Sequence, residues 1–413
     1  MKKVELLAPA GSFEKAKIAF MYGADCVYIG TPKLSLRSRS EVQDSDLVKI
    51  VEYAHSHGKK VNVAMNIFAW DDNYEDIKAQ AKLLEELKVD GIIIADGGVV
   101  DAVKECAPNV PIHISTQANT VSYHTCNFWK KNGAERVVLG RELNKAQIKD
   151  IMKNKPEDLE IEVFIHGAIC FAYSGRCFLS EYLSKRNGNQ GDCAQSCRWA
   201  YNLYVEETNK PGNLMPVEHD EKGTYIFSSK DLCLINELPE LLDMGIDSFK
   251  IEGRLKTEYY LASVVSVYRN AIDDYYNNPE SFDSSKYIKE LEKVKTRGLT
   301  TFYFNDRENQ DIQDYEGHQY NPGYEFGGKI IEDYGDKVLI EIRNKLTVGD
   351  TLELLIPNKL EPIEFKIEKL WNDETREEIE TVNPGKAEQK VILTIPRNEI
   401  SKFEKDWILR RKK

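Results

Sequence analysis

The chain has no apolar run long enough to cross a bilayer; a 30% charged fraction interrupts its 41% apolar residues throughout, as in globular proteins. It also has no excess of positive charge. With 56 Lys and Arg against 68 Asp and Glu, the net charge is −12. That argues against a general nucleic-acid coat, because unspecific affinity for phosphate comes from cation neutralisation, although a local basic groove stays open. The opening MKKVELLAPAGSFEKA breaks its apolar residues at Pro9 and Gly11, unlike the core of a secretory leader, so a cytoplasmic protein is expected. A Gly-x-Gly-x-x-Gly loop after the first strand, a Gly-x-Ser-x-Gly elbow and a His-Glu-x-x-His helix are all missing, and the seven histidines show no signature pairing one with a nucleophile. A dinucleotide-binding fold is thereby disfavoured, and peptidase chemistry is left without visible machinery.

What is present is a regular alternation. Eight short β-branched runs, VELLAPAG, DCVYIGTP, KKVNVAMN, DGIIIADG, VPIHISTQ, ERVVLGRE, IEVFIHGA and SFKIEGRL, are separated by stretches such as YEDIKAQAKLLEELKV whose apolar residues recur at three and four. Strand then helix, eight times over about 250 residues, is the pattern of a (β/α)8 TIM-like barrel. A cysteine-rich insertion (166–233) follows the seventh strand, and connections that long are functional or disordered as a rule. Two helices, YYLASVVSVYRNAIDDYYNN and SSKYIKELEKVKTRG, come after the eighth strand. From Gly327 onward, alternating segments such as DKVLIEI and QKVILTIP read as a small C-terminal β-barrel. The expected domains are a barrel over 1–310 and a β domain over 320–413.

The insertion crowds four of the eight cysteines into residues 166–199, as Cys170-x6-Cys177-x15-Cys193-x3-Cys197, and Cys233 follows in SSKDLC. In reducing cytosol a disulfide is disfavoured. Cys26, Cys106 and Cys126 lie in apolar or helical contexts and read as buried small side chains, whereas Ser, Gly, Arg, Asn, Gln and Asp surround the insertion thiols. Four thiolates hold zinc or a [4Fe–4S] cluster. Without paired Cys-x2-Cys knuckles the spacing favours iron–sulfur over zinc.

Other polar residues end strands that are otherwise apolar, on the face where barrel active sites lie. Asn66, Gln117, Asn119 and Glu142 read as site lining, and Arg37, Arg39, Arg141 and Arg254 follow strands two, six and eight. His166, before the cluster loop, is placed to move a proton near neutral pH. Lys250 and Glu252 read as an ion pair of the barrel interior. Aromatic and cationic residues interleave in CRWAYNLYVEE and FEKDWILRRKK, a composition that can stack bases and touch phosphate.

EVFIHGAICFAYSGRCFLS, together with LLAPAGSFEKAKIAFMYGADCVYIG, STQAN, LGREL, GDCAQSCRW, SSKDLC and FKIEGR, resembles the collagenase-like peptidase family U-32 across nearly the whole chain. GDCAQSCRW and the C-terminal β domain are most similar to the members that hydroxylate tRNA, making 5-hydroxyuridine at the wobble position with prephenate and no molecular oxygen. The resemblance implies an enzyme with tRNA as partner, prephenate as co-substrate, and a [4Fe–4S] cluster on Cys170, Cys177, Cys193 and Cys233, with Cys197 as alternate. Prephenate's two carboxylates give the four arginines a task, with His166, Arg141, Glu142 and Gln117 as catalytic candidates. Relatives that hydroxylate ribosomal RNA, and the family's protease label, are the alternatives. Members that work in pairs imply a paralogous partner chain or a homo-oligomer. Where relatives carry a glycine after a threonine pair, this chain reads RGLTTFYFND, and no role is carried over to that loop.

Overall fold

In a computed structural model, the described residues are 3–36, 42–170, 172–199, 201, 204–206, 208–209, 211–212, 214–216, 229–305, 312, 323–385, 389–397 and 400–413. All eight expected barrel strands form: β1 (Glu5–Pro9), β2 (Cys26–Gly30), β3 (Lys60–Ala64), β4 (Gly91–Ile94), β5 (Ile112–Ile114), β6 (Ala134–Val138), β7 (Glu160–Ala168) and, after the insertion, β11 (Ser248–Ile251). Each pairs in parallel with its neighbour, and β11 pairs with both β1 and β7, which closes the barrel. The strands bury both faces, as their near-continuous Val, Ile and Leu runs require. The connecting helices α2 (Asp44–Ser56), α3 (Tyr74–Leu87), α4 (Gly97–Cys106), α5 (Tyr123–Lys131), α6 (Lys145–Asn154) and α8 (Leu238–Asp243) bury one stripe each.

The insertion contains a short helix α7 (Leu179–Ser184), a two-stranded ribbon of β8 (Tyr204–Glu206) and β9 (Leu214–Pro216), and β10 (Asp231–Cys233). β10 runs antiparallel to the end of β7, placing Cys233 opposite His166, and pairs in parallel with β12 (Leu299–Thr300).

The chain divides into two compact units. One comprises Met1–Ala16, Asp25–Leu255 and Thr296–Tyr320; the other comprises Lys17–Ala24, Lys256–Lys295 and Asn321–Lys413. The second unit therefore takes in the C-terminal part of α1 (Phe13–Met21), α9 (Glu258–Asn277) and α10 (Ser285–Leu291), which the sequence reading placed with the barrel. Its antiparallel sheet has eight strands in the order Ile363–Lys366, Thr351–Leu354, Ile408–Lys412, Tyr324–Asp333, Val338–Ile342, Lys390–Leu393, Leu370–Asn372, Glu378–Ile379. This is an antiparallel half-barrel where the alternation reads as a small barrel, and Ile330, Ile340, Leu352, Leu393, Phe403 and Leu409 fill its core. Among the described residues no helix is long and apolar enough to cross a membrane.

Candidate functional site

At the carboxyl ends of the barrel strands, the insertion roofs a cavity of about 560 Å³, within the size range of small-molecule sites. Its floor is the inward-facing layer of the barrel, including Tyr28, Ala64, Ile93, Phe164 and Lys250. Its roof carries four thiols, Cys170, Cys177, Cys193 and Cys197.

Polar bonds hold this roof in shape, which explains why the thiols have polar neighbours. The Asn189 side chain accepts from Cys177 N (3.2 Å) and donates to Cys177 O (3.1 Å). Ser180 Oγ donates to Arg186 O and accepts from Ala194 N. Arg186 forks onto Asp192 at 2.9 and 2.6 Å. Arg176 donates twice to the Gln117 carbonyl, at 2.9 and 2.7 Å, tying the insertion to the loop after β5, and Arg198 reaches Ile169 O at 3.2 Å. These bonds substitute for the hydrophobic core that so polar a segment cannot build.

The thiols sense one another. Burial pushes the Cys197 thiol up; Arg198 pulls it down, and the charges of Cys170, Cys193 and Cys177 push it further up. Backbone amides point at two of the sulfurs, Leu179 N at Cys177 Sγ (3.3 Å) and Gln195 N at Cys193 Sγ (3.4 Å). Among the described residues no three His, Cys, Asp or Glu side chains are set so as to hold a metal ion. The four thiols line one cavity, and thiolate sulfur is the donor that zinc and iron–sulfur clusters both take. Cys233, expected as the fourth ligand, lies buried in β10 outside the cavity lining; Cys197, the expected alternate, lines the cavity.

The cations on the floor are held by aromatic faces. Arg141 lies 3.8 Å from the Phe164 ring centre and donates to Ala168 O at 2.7 Å. Arg254 lies 5.7 Å from the Tyr28 ring centre and donates to Ser35 Oγ at 3.2 Å. A Cβ on Gly30 would overlap both Ser35 Oγ and Arg254 Nη1, so only glycine lets this arginine lie against β2. Lys250 pairs with Glu162 at 2.7 Å rather than with Glu252 as expected. Glu162, two residues from Phe164 along β7, also accepts from Arg136 at 3.2 Å. Glu142 and Glu252 both line the cavity.

Three buried atoms in the lining, Asn66 Oδ1, Gln117 Oε1 and Ser196 Oγ, have no hydrogen-bond partner among the described residues. Buried polar atoms left so cost about 1–3 kcal/mol each, and a bound polar molecule can complete them. Asn119 lies outside the lining; its left-handed backbone (φ 59°) ends the turn that carries Gln117.

His166 is a correction to the sequence reading. It is buried in β7 and does not line the cavity. The register between β11 and β7 shifts between Lys250, opposite Phe164, and Ile251, opposite His166, and such an irregularity breaks the alternation that would have aimed His166 inward with Glu162 and Phe164. Arg37 and Arg39 lie outside the described residues. Sequence reasoning missed Tyr28, Phe164 and Glu162, whose inward parity on their strands was the available signal. It also missed Arg176 and Arg198, each adjacent to a clustered cysteine.

A closed (β/α)8 barrel whose mouth is roofed by four thiols over a floor of cations has the concave, polar-lined cavity that small-molecule sites share. The chain belongs to peptidase family U32: the family's model matches residues 11–314, and the model of the peptidase family U32 C-terminal domain matches 322–410. It is similar to the Bacillus subtilis (strain 168) tRNA hydroxylation protein P1, 40% identical over 91% of this chain and 89% of that protein. It is also similar to the Escherichia coli (strain K12) tRNA hydroxylation protein P, 37% identical over 96% of this chain and 95% of that protein. The E. coli 23S rRNA 5-hydroxycytidine C2501 synthase is 31% identical over 92% of this chain and 58% of its own length.

Proposed function

We propose that the protein is an RNA-modifying enzyme that hydroxylates the wobble uridine of tRNA to 5-hydroxyuridine, with prephenate as co-substrate and a [4Fe–4S] cluster on Cys170, Cys177, Cys193 and Cys197. The observation that carries this reading is the convergence of four thiols, two guanidinium groups and unpartnered amide oxygens on one cavity. When bound, such a cluster would supply a Lewis-acidic iron to an oxygen donor at the barrel mouth.

The protein's own residues bind and orient. Arg141 and Arg254, braced on Phe164 and Tyr28, suit the two carboxylates of prephenate, because planar guanidinium forks bind such anions bidentately. Asn66 Oδ1 or Gln117 Oε1 can accept from the donor's one hydroxyl. For RNA, the cysteine-bearing stretch 170–199 of the insertion offers four cations, Arg176, Lys185, Arg186 and Arg198, against two carboxylates, Glu181 and Asp192, in a chain of net charge −12. Exposed Phe178, Tyr182 and Trp199 stand among them, and aromatic faces beside cations are how single-stranded bases are held. The names of the two tRNA hydroxylation relatives support tRNA over ribosomal RNA as substrate.

For the peptidase alternative, a thiol nucleophile needs a base within reach, and among the described residues no histidine lines the cavity. Nucleoside analysis of tRNA from a deletion strain tests the proposal, with loss of 5-hydroxyuridine derivatives expected and their restoration by the plasmid-borne protein; an unchanged nucleoside profile in a strain cleared of paralogues would refute it.

A further inference from the structure

Lys250 is a different kind of cation from the arginines beside it. It sits on β11 opposite Phe164, its residue only 4% exposed, yet it lines the cavity. Its Nζ lies 4.4 Å from the Tyr28 ring centre and 5.4 Å from that of Phe164, the same rings that hold Arg254 and Arg141. Glu162 Oε1 is 2.7 Å away, while Oε2 is bonded to Arg136. Glu162 therefore keeps a guanidinium partner if Lys250 gives up its proton.

The surroundings favour that loss. Burial pushes the Lys250 amine down, Glu162 on β7 opposes this, and Arg136 on β6 and Arg254 after β11 add to the downward push. Buried His113 on β5 is itself held neutral by burial and by the charges of Arg136 and Lys250. Unlike a guanidinium, an amine in such a site can deprotonate and attack a carbonyl carbon.

We propose that Lys250 forms an imine with the keto carbon of a 2-oxo acid bound in this cavity, the adjacent carboxylate lying against Arg254 or Arg141. This rests on the reading that an oxo-dicarboxylate such as prephenate is the small-molecule substrate. The ammonium passes a proton to Glu162, the amine lone pair forms the carbon–nitrogen bond as the carbonyl π bond opens onto oxygen, and the attacking nitrogen's surplus proton moves to that oxygen, which becomes a hydroxyl. Glu162 then returns a proton to that hydroxyl, which leaves as water as the carbon–nitrogen double bond forms. No oxidant or reductant is needed. The iminium holds the oxo acid covalently and makes its carbon skeleton electron-poor.

The test is borohydride trapping on the full-length protein, prepared without oxygen and incubated with prephenate or, separately, with pyruvate, followed by peptide mass mapping. One reduced adduct on Lys250 is expected with either oxo acid, none without one, and none in Lys250→Arg, which keeps a cation beside Glu162. Absence of the Lys250 adduct from the wild-type protein would overturn the proposal, as would a folded Lys250→Arg protein, checked by circular dichroism, that still hydroxylates tRNA. An adduct in a protein whose deletion leaves tRNA unchanged would support the imine and remove the RNA hydroxylase reading, so the two failures are separable.

Discussion

The barrel mouth and the C-terminal half-barrel carry the same sequence pattern, aromatic residues interleaved with arginines, and put it to opposite uses. In FEKDWILRRKK, Trp407 is buried and Arg410 is 1% exposed. Arg410 bonds Glu290 at 2.7 Å and Glu353 at 2.6 Å, and Arg411 pairs with Glu325 and Asp350. Around GDCAQSCRW, Trp199 is 44% exposed, and Phe178 and Tyr182, 75% and 78% exposed, stand nearby in sequence. A strand inside a sheet buries its aromatic residues and obliges its cations to find carboxylates. A loop held by polar bonds leaves its aromatic residues at the surface. The tail, read from composition as a possible RNA contact, is therefore structural.

The sharpest test of this contrast is at the thiols. Cys193→Ser is expected to remove iron and visible absorbance from anaerobically prepared protein and to abolish 5-hydroxyuridine formation. Cys233→Ser should keep the iron and lose about 1–3 kcal/mol of stability, since it puts a hydroxyl into an apolar buried position. Iron counts reversed between these two variants would restore Cys233 to the ligand set and break the comparison.

Next comes Arg410→Ala, which leaves the carboxylates of Glu290 and Glu353 sharing one cation, Lys293. It is expected to cost about 3–5 kcal/mol in chemical denaturation while leaving tRNA affinity of the folded protein unchanged. Trp199→Ala should do the reverse, weakening tRNA binding by about 1–3 kcal/mol per lost stacked base with little change in melting temperature; equal tRNA binding would remove the mouth as the RNA face. The smallest effect is expected at Asp333, whose carboxyl Arg397, with backbone amides of Phe403 and Gly335, holds down at about 2. A depressed carboxyl stabilises the fold above its ordinary value of 3.8 and loses that contribution as pH falls toward 2. Asp333→Asn should accordingly flatten the acid limb of stability between pH 4 and 2, without changing activity at neutral pH.

Much of the fold was legible before any coordinates. Each of the eight β-branched runs holds a barrel strand, because a strand buried on both faces needs a continuous apolar stretch and a βα unit recurs with a regular period. The site was legible in outline. Arg141, Arg254, Asn66, Gln117, Glu142 and three of the four expected cysteines line the cavity. His166 failed because one register shift redirects a side chain that alternation aims inward. Cys233 lies buried where β10 turns back along β7, and a distant antiparallel pairing leaves no local mark. Lys250 was read as bonded to Glu252, two residues away, when its partner is Glu162 across the barrel seam.

Local chemistry alone determined the order of strands and helices, the half-barrel and the crowding of thiols into one connection, because periodicity, turn residues and composition act over a few residues. Closure of β11 onto β1 and β7 decided the rest. It brings Lys250 beside Tyr28, Phe164 and Glu162, and the folded insertion sets Cys197 rather than Cys233 over them. Which groups share one low-dielectric space depends on contacts between residues far apart in the chain, and only the three-dimensional packing supplies those.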